Sequence, residues 1–230
     1  LRALLEANAT VGVEDGMVSA CANGHFGAVL LMLNEFNIQP TAEVLLAAAY
    51  RDNTEIVQRC LDAKLDINGR TQDPTEMQGS KTTALHLAQS VEMVRFLMDN
   101  KSDINSTDDG GRTPFLQAVS NDNLGVAQEL LVFGANPKVT DDEGNSAVHV
   151  AVSAASAKWL VGLGLPVNAM NKKRETALHR AVARLTQPNS TLTADKRQIV
   201  LALVTDLLRL DGDANRAVHI LSLDGHAPLT

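Results

Sequence analysis

Aromatic residues are scarce in this chain: five Phe, one Trp and one Tyr make up 3% of 230 residues. A core must be built without large rings, and alanine and leucine supply it instead, the composition of closely packed helices. Cysteine is scarcer still. Cys21 and Cys60 are too few for a disulfide framework in a chain of this length. Both fall at apolar positions of helix-like segments, where reduced, buried thiols are expected. No apolar run reaches the roughly 18 residues that a membrane span requires. The stretch from Leu1 lacks a signal-peptide pattern, with Arg2 and Glu6 interrupting it. The N-x-S/T sequons at Asn8, Asn105 and Asn189 are therefore read as chance, and an intracellular location, cytoplasmic or nuclear, is expected. Basic charge is also in deficit: 20 Lys and Arg against 27 Asp and Glu give a net charge of −7. Phosphate neutralisation needs a clustered basic surface, so nucleic-acid binding is not expected.

Motifs of chemistry are missing too. There is no HExxH, no pair of CxxC, no P-loop and no G-x-S-x-G, so no metal, phosphate or acyl-transfer site is signalled. No cofactor and no metal are expected, and catalysis is not.

What the chain has is repetition. Residues 82–88 read TTALHLA, 145–151 NSAVHVA and 173–181 KRETALHRA, while 113–118 read TPFLQA. A catalytic histidine is normally unique, and three in one frame point to architecture. Six apolar pairs recur, the last four of them behind these blocks: Met32-Leu33, Cys60-Leu61, Leu97-Met98, Leu130-Leu131, Leu160-Val161 and Leu207-Leu208. The pairs are spaced 28, 37, 33, 30 and 47 residues apart, averaging 35. A tail follows four of them: LDIN at 65–68, SDIN at 102–105, LPVN at 165–168 and GDAN at 212–215, with GANPK at 134–138 a looser copy. A period in this range is the mark of a stacked-repeat protein.

These residues resemble the ankyrin repeat, whose pattern is T-P-L-H-x-A, then A-x-x-G-H, an I-V-x-x-L-L helix and G-A-D-x-N. ACANGHFGAVLLML at 20–33 matches its second half. The resemblance covers about residues 15 to 230 and implies an all-α solenoid of stacked helix–turn–helix repeats with short β-hairpin fingers. As a single domain over 1–230 it divides into a degenerate cap at 1–13, repeats near 15–40, 41–70, 82–108, 112–141, 145–171 and 175–216, and a partial repeat at 222–230. The chain opens on Leu and stops inside a repeat, as expected of a piece of a longer protein. Thr83, Thr113, Ser146 and Thr176 stand where a side chain can cap the first helix, and Pro114 where a missing N–H costs nothing. The family assigns His86, His149 and His179 a structural role, bonding turn backbone and tying repeats together. Leu116 holds that position in the fourth repeat, so the link is expected to be absent there. His25 matches the G-H of the motif and is read as structural. Trp159 is read as packing of the outer helix.

The sequence departs from the pattern in places. From capping residue to apolar pair the separation is 17 in Thr113 to Leu130 but 14 in Thr83 to Leu97 and in Ser146 to Leu160. One helical turn is missing, and a tighter connection is expected. Insertions stand at 69–81 and 185–199, with Asp195 starting a longer outer helix. In the second repeat Val44, Leu45 and Leu46 replace the usual start, so an irregular turn is expected.

Ankyrin-like stacks bind partners through finger tips and exposed inner-helix positions. Here the tips are Asp108, Asp109 and Arg112, then Asp141, Asp142 and Glu143, then Lys172, Lys173 and Arg174. The inner-helix positions are Gln117, Ser120, Asn121, Ser153, Arg180 and Arg184, the last two four apart on one face. A surface acidic in the middle and basic toward one end suits a protein partner of mixed charge. The function expected is a non-catalytic interaction scaffold, acting as a monomer. The alternative is a regulatory or substrate-recruiting arm of a larger enzyme or channel.

Overall fold

The computed structural model describes residues 12–70, 81–186 and 194–211. The degenerate cap before Val13, most of the insertion at 69–81, the middle of that at 185–199, the GDAN tail and the partial repeat at 222–230 lie outside the described residues. Among these, twelve helices follow one another: α1 (Val13–Ala22), α2 (Phe26–Asn34), α3 (Ala42–Tyr50), α4 (Thr54–Asp62), α5 (Ala84–Leu87), α6 (Val91–Asp99), α7 (Pro114–Ser120), α8 (Leu124–Val132), α9 (Ala147–Val150), α10 (Ala154–Gly162), α11 (Ala177–Thr186) and α12 (Ala194–Asp211). Among the described residues α1 and α2, α3 and α4, α5 and α6, α9 and α10, and α11 and α12 pack as inner–outer pairs, and Pro114 opens α7 as expected. The fingers are turns more than strands: the described residues hold one isolated bridge, Thr140 to Ser146.

Outer helices stop by a shared device. Cys60, Leu97, Leu130 and Leu160 each give their carbonyl to the N–H five residues on, in Leu65, Ser102, Ala135 and Leu165, at 2.9–3.3 Å. The residue before each donating N–H is left-handed: Lys64 (φ 69°), Lys101 (67°), Gly134 (92°) and Gly164 (83°). This is the Schellman closure. It explains why the apolar pair and the tail recur at fixed distance.

The chain forms two compact units, one of Leu1–Pro114 with Gly125–Ala135 and one of Phe115–Leu124 with Asn136–Thr230. In the first, α3 packs against α1, α4 and α5. Val44 to Ala49 are all at most 1% exposed, because three consecutive alanines let neighbouring helices close in. Cys21 and Cys60 are free, buried thiols in this core. Burial pushes them up to about 11 and about 12. The second repeat corrects one expectation: its start is regular. Thr41 is the N-cap of α3, in extended conformation, so TAEV fills the usual frame and Val44 occupies the histidine position. The Thr41 hydroxyl is buried with no hydrogen-bond partner, as follows when the ring that should meet it is an isopropyl group.

In the second unit α12, 18 residues long, packs against α10 and α11. Leu160, Leu203 and Leu207 are at most 2% exposed. Trp159 stacks at a tilt on Phe115, ring centroids 6.3 Å apart, as its packing role requires. Deleting a side chain such as Leu160 to Ala costs about 2–5 kcal/mol.

The missing turn is taken from the inner helices. α5 and α9 have four residues each, and the chain leaves both in extended conformation at Ala88 and Ala151. Ser90 and Ser153 then cap α6 and α10 directly, accepting from the N–H of Met93 and Ser156 at 3.1 Å. Ser153 is thus not an inner-helix residue, because α9 has ended three positions earlier.

Candidate protein-binding surface

In α5 the ring of His86 sits at the third helical position, and its Nδ1 accepts the Thr83 N–H at 3.2 Å and lies 2.9 Å from the Thr83 hydroxyl. Nε2 lies 2.9 Å from the Arg112 carbonyl. A backbone N–H can only donate and a carbonyl can only accept, so the proton is on Nε2 and the ring is neutral. His149 repeats this with the Ser146 N–H and hydroxyl at 3.2 and 2.8 Å and the Glu175 carbonyl at 3.0 Å. Burial pushes both rings below the ordinary imidazole value, against the opposing pull of the carbonyl bond. His179 makes the same Nδ1 contacts with Thr176, at 3.1 and 2.9 Å. The Glu175 carboxylate accepts from Asn171 Nδ2 at 2.9 Å. Leu116 is fully buried, an apolar replacement for the ring. His25 is exposed and acts through backbone alone, its N–H bonded to Ala20 at 2.8 Å.

The fingers share a second device. In Asp108–Arg112, Asp141–Asn145 and Asn171–Glu175 the first residue's N–H donates to the carbonyl four on, at 2.9–3.1 Å. The first side chain accepts N–H bonds two and four residues on, at 2.8–3.0 Å. Asp108, Asp141 and Asn171 therefore hold the tips from inside. Asp141 is only 6% exposed. The fourth residue is left-handed each time: Gly111 (φ 70°), Gly144 (79°) and Arg174 (62°).

In the first unit, Asp109 remains exposed and pairs with Lys81 at 2.9 Å. Arg112 is half-buried. In the second unit, Gln117 donates to Asn121 at 3.2 Å on α7, Ser120 is half-buried and Asn121 and Asp142 are exposed.

The last two fingers of the second unit are joined by amides that no sequence motif marks. Asn145 is fully buried. Its oxygen accepts from Asn171 Nδ2 at 2.8 Å and Arg180 Nη1 at 3.1 Å. Its nitrogen donates to Asp141 at 2.8 Å and Glu143 at 3.2 Å. The signal was there: Asn171 aligns with Asp108 and Asp141 as the opening residue of each tip. Lys172 donates to the Asp142 carbonyl at 2.7 Å. Lys173 pairs with Glu143 at 3.2 Å, and Arg180 stands 3.7 Å from the same carboxylate. Lys173, then Asn145, hold the Glu143 carboxyl below its usual range. Acidic and basic tips thus partly neutralise each other. Arg184 gives Nη1 to the Ala151 carbonyl at 2.7 Å, closing the end of the shortened α9. Burial, then the neighbouring Arg180, lower its guanidinium below its ordinary value. Arg174 is exposed.

No group of three or more His, Cys, Asp or Glu among the described residues is placed to hold a metal ion. No helix among them is long and apolar enough to cross a membrane.

The paired helices, histidine ties and closed turns define a class of repeat scaffold, and comparison with known proteins places it. A family model of ankyrin repeats in three copies matches residues 16–108, 45–141 and 115–194. The chain belongs to the ankyrin-repeat family, and its fold is the all-α ankyrin-repeat solenoid. It is 28% identical over 176 residues to a putative ankyrin repeat protein of fowlpox virus, covering 73% of this chain and 48% of that protein. It is 36% identical over 97 residues to the B-cell lymphoma 3 protein homolog of Mus musculus, covering 40% and 22%. It is 32% identical over 99 residues to a probable serine/threonine-protein kinase of Dictyostelium discoideum, covering 40% and 12%. The chain thus spans less than half the length of each. Ankyrin repeats are in general protein–protein interaction modules.

Proposed function

We propose that this chain is a non-catalytic scaffold that binds a protein partner through its finger tips and neighbouring inner-helix positions. One observation carries the reading: tip backbones are fixed from inside by Asp108, Asp141 and Asn171, while the side chains of Asp109, Asp142, Lys172, Lys173 and Arg174 remain on the surface. A rigid backbone presenting variable side chains loses little freedom on binding, which favours affinity. Gln117 and Asn121 extend the candidate surface. Glu143, Arg180 and Arg184 contribute through atoms not already engaged in the fold. Asp108, Arg112, Asp141 and Ser153 support the surface by positioning it.

The test is affinity capture with purified chain beside a Lys172→Glu, Lys173→Glu, Arg174→Glu variant, after circular dichroism has established equal helicity. Proteins retained by the wild type and lost by the variant support the reading. Equal retention by both moves the site elsewhere.

A second reading rests on the similarity to the Dictyostelium kinase, a protein of which this chain covers 12%. There the chain is the substrate-recruiting or regulatory arm of a larger enzyme. A catalytic segment in the same reading frame, and loss of that enzyme's substrate preference on the same triple substitution, distinguish it from a free-standing adaptor.

A further inference from the structure

We infer that the strip running from Lys172 and Arg174 to Arg180 and Arg184 in the second unit receives an acidic peptide segment of a partner protein. The inference rests on the reading of the chain as a protein-binding module and supplies the chemistry of the partner.

Local charge is the first argument. Five cations lie within 13 residues, Lys172, Lys173, Arg174, Arg180 and Arg184, in a chain whose net charge is −7. One carboxylate, Glu143, serves two of them, with Lys173 at 3.2 Å and Arg180 at 3.7 Å. Lys172 and Arg184 end on backbone carbonyls, of Asp142 and Ala151. Those bonds satisfy donors but leave full positive charges without a counter-charge. Arg180 and Arg184 also stand one helical turn apart, so each raises the cost of the other's charge.

Arg180 is held in place yet incompletely satisfied. Arg180 uses Nη1 on Asn145 at 3.1 Å, but its Nε is buried with no hydrogen-bond partner. A buried guanidinium N–H left unpaired is costly and uncommon. The guanidinium is held by the Asn145 amide, and its side chain keeps 24% exposure. A carboxylate arriving at the exposed part of the Arg180 side chain meets a held, partly desolvated cation, a setting that strengthens the bond. Arg184, one turn on, offers a second charge to the same peptide.

Two acidic groups argue for a peptide over a nucleic acid. Asp142 and Glu143 border the strip, and the whole chain is acidic, so a long polyanion that runs past the strip meets repulsion on both scales. A short acidic segment confined to the strip avoids it.

The experiment is fluorescence anisotropy of a fluorescein-labelled hexaglutamate peptide, at about 50 and 150 mM salt, so that screening of the charges is visible. The wild type is expected to bind, more weakly at the higher salt. Arg180→Gln with Arg184→Gln should weaken binding at least tenfold, and Lys172→Gln with Arg174→Gln, which leaves the helix untouched, severalfold. Lys138→Gln, an exposed cation outside the strip, should change nothing. Absence of binding by the wild type, equal binding by the Lys172→Gln, Arg174→Gln variant, or tighter binding of an oligothymidylate than of hexaglutamate each overturns the inference. If the wild type captures partner proteins but not hexaglutamate, this inference alone fails. If it captures no partner, the binding reading beneath it fails.

Discussion

Ser153 places its hydroxyl 2.6 Å from the carboxylate of Asp122. The same relationship joins Ser90 to Asp52, at 2.8 Å. Both serines cap the outer helix of a shortened repeat, and both aspartates lie in the inner–outer turn of the repeat before, at φ 57° and 55°. Where one helical turn has been lost, a charge-assisted bond to the preceding repeat stands in its place. Asp122→Ala removes that bond and leaves a Cβ residue in the left-handed region. It should lower stability by about 1–2 kcal/mol, while Asp122→Gly, which relieves the conformational strain, should lower it by less. Equal losses in urea denaturation would show that strain at this position is not relieved by glycine.

Thr41 and Thr83 hold the same place in successive repeats but meet opposite fates. The Thr83 hydroxyl lies 2.9 Å from His86, whereas the Thr41 hydroxyl is buried and unpartnered. Thr41→Val should be neutral or stabilise by up to about 1 kcal/mol, and Thr83→Val should destabilise by about 1–3 kcal/mol. Thermal unfolding of the two variants checks the contrast.

The neutral rings of His86 and His149 make stability depend on pH. Their folded values lie below the unfolded value, near 6.5. Between those values the unfolded chain takes up protons and the native chain does not. Stability should therefore be full above about pH 6.5 and fall as pH drops through the unfolded value toward the folded one. His149→Leu, which copies Leu116, should be less stable at pH 7.5 and lose less on acidification to pH 5.5. Urea midpoints at the two pH values decide it; a variant as pH-dependent as the wild type contradicts the assignment.

The tip turn supplies a paired test. A Cβ on Gly144 would stand 3.0 Å from the Lys172 nitrogen with φ at +79°, whereas one on Gly134, at +92°, meets nothing within 4 Å. Gly144→Ala should cost more than Gly134→Ala, the latter about 1 kcal/mol from backbone conformation alone. Arg174 occupies the Gly144 position of its own turn, so Arg174→Gly should stabilise the fold by up to about 1 kcal/mol even as it weakens binding. Denaturation curves for the three variants suffice.

Much of the frame was legible because one contact repeats. Thr/Ser-x-x-His fixes a local geometry three residues apart, and spacing alone reveals it at 83–86, 146–149 and 176–179. The second repeat escaped, since Val44 erased the histidine that marks the frame and Thr41 was passed over. The site was harder to read for a physical reason. Whether an Asp at a tip faces solvent or its own turn depends on backbone conformation, and Asp141 faces inward while Asp142 beside it does not. The targets of Arg180 and Arg184 lie 35 and 33 residues back, on surfaces that only stacking brings near. Asn145 and Asn171 carry no charge and no motif letter, so the amide pair joining two fingers left no mark beyond the alignment of the tips.

The central claim is that partners meet the tip side chains while the motif residues hold the frame. It is tested most directly by placing a photo-crosslinking amino acid at Arg174 or, in a separate chain, at Ala155, exposed on outer helix α10, and irradiating each in cell extract. The account predicts a discrete crosslinked protein from position 174, lost when Lys172 and Lys173 are changed to Glu, and none from position 155. The same crosslinked protein from position 155, with nothing at 174, would contradict it.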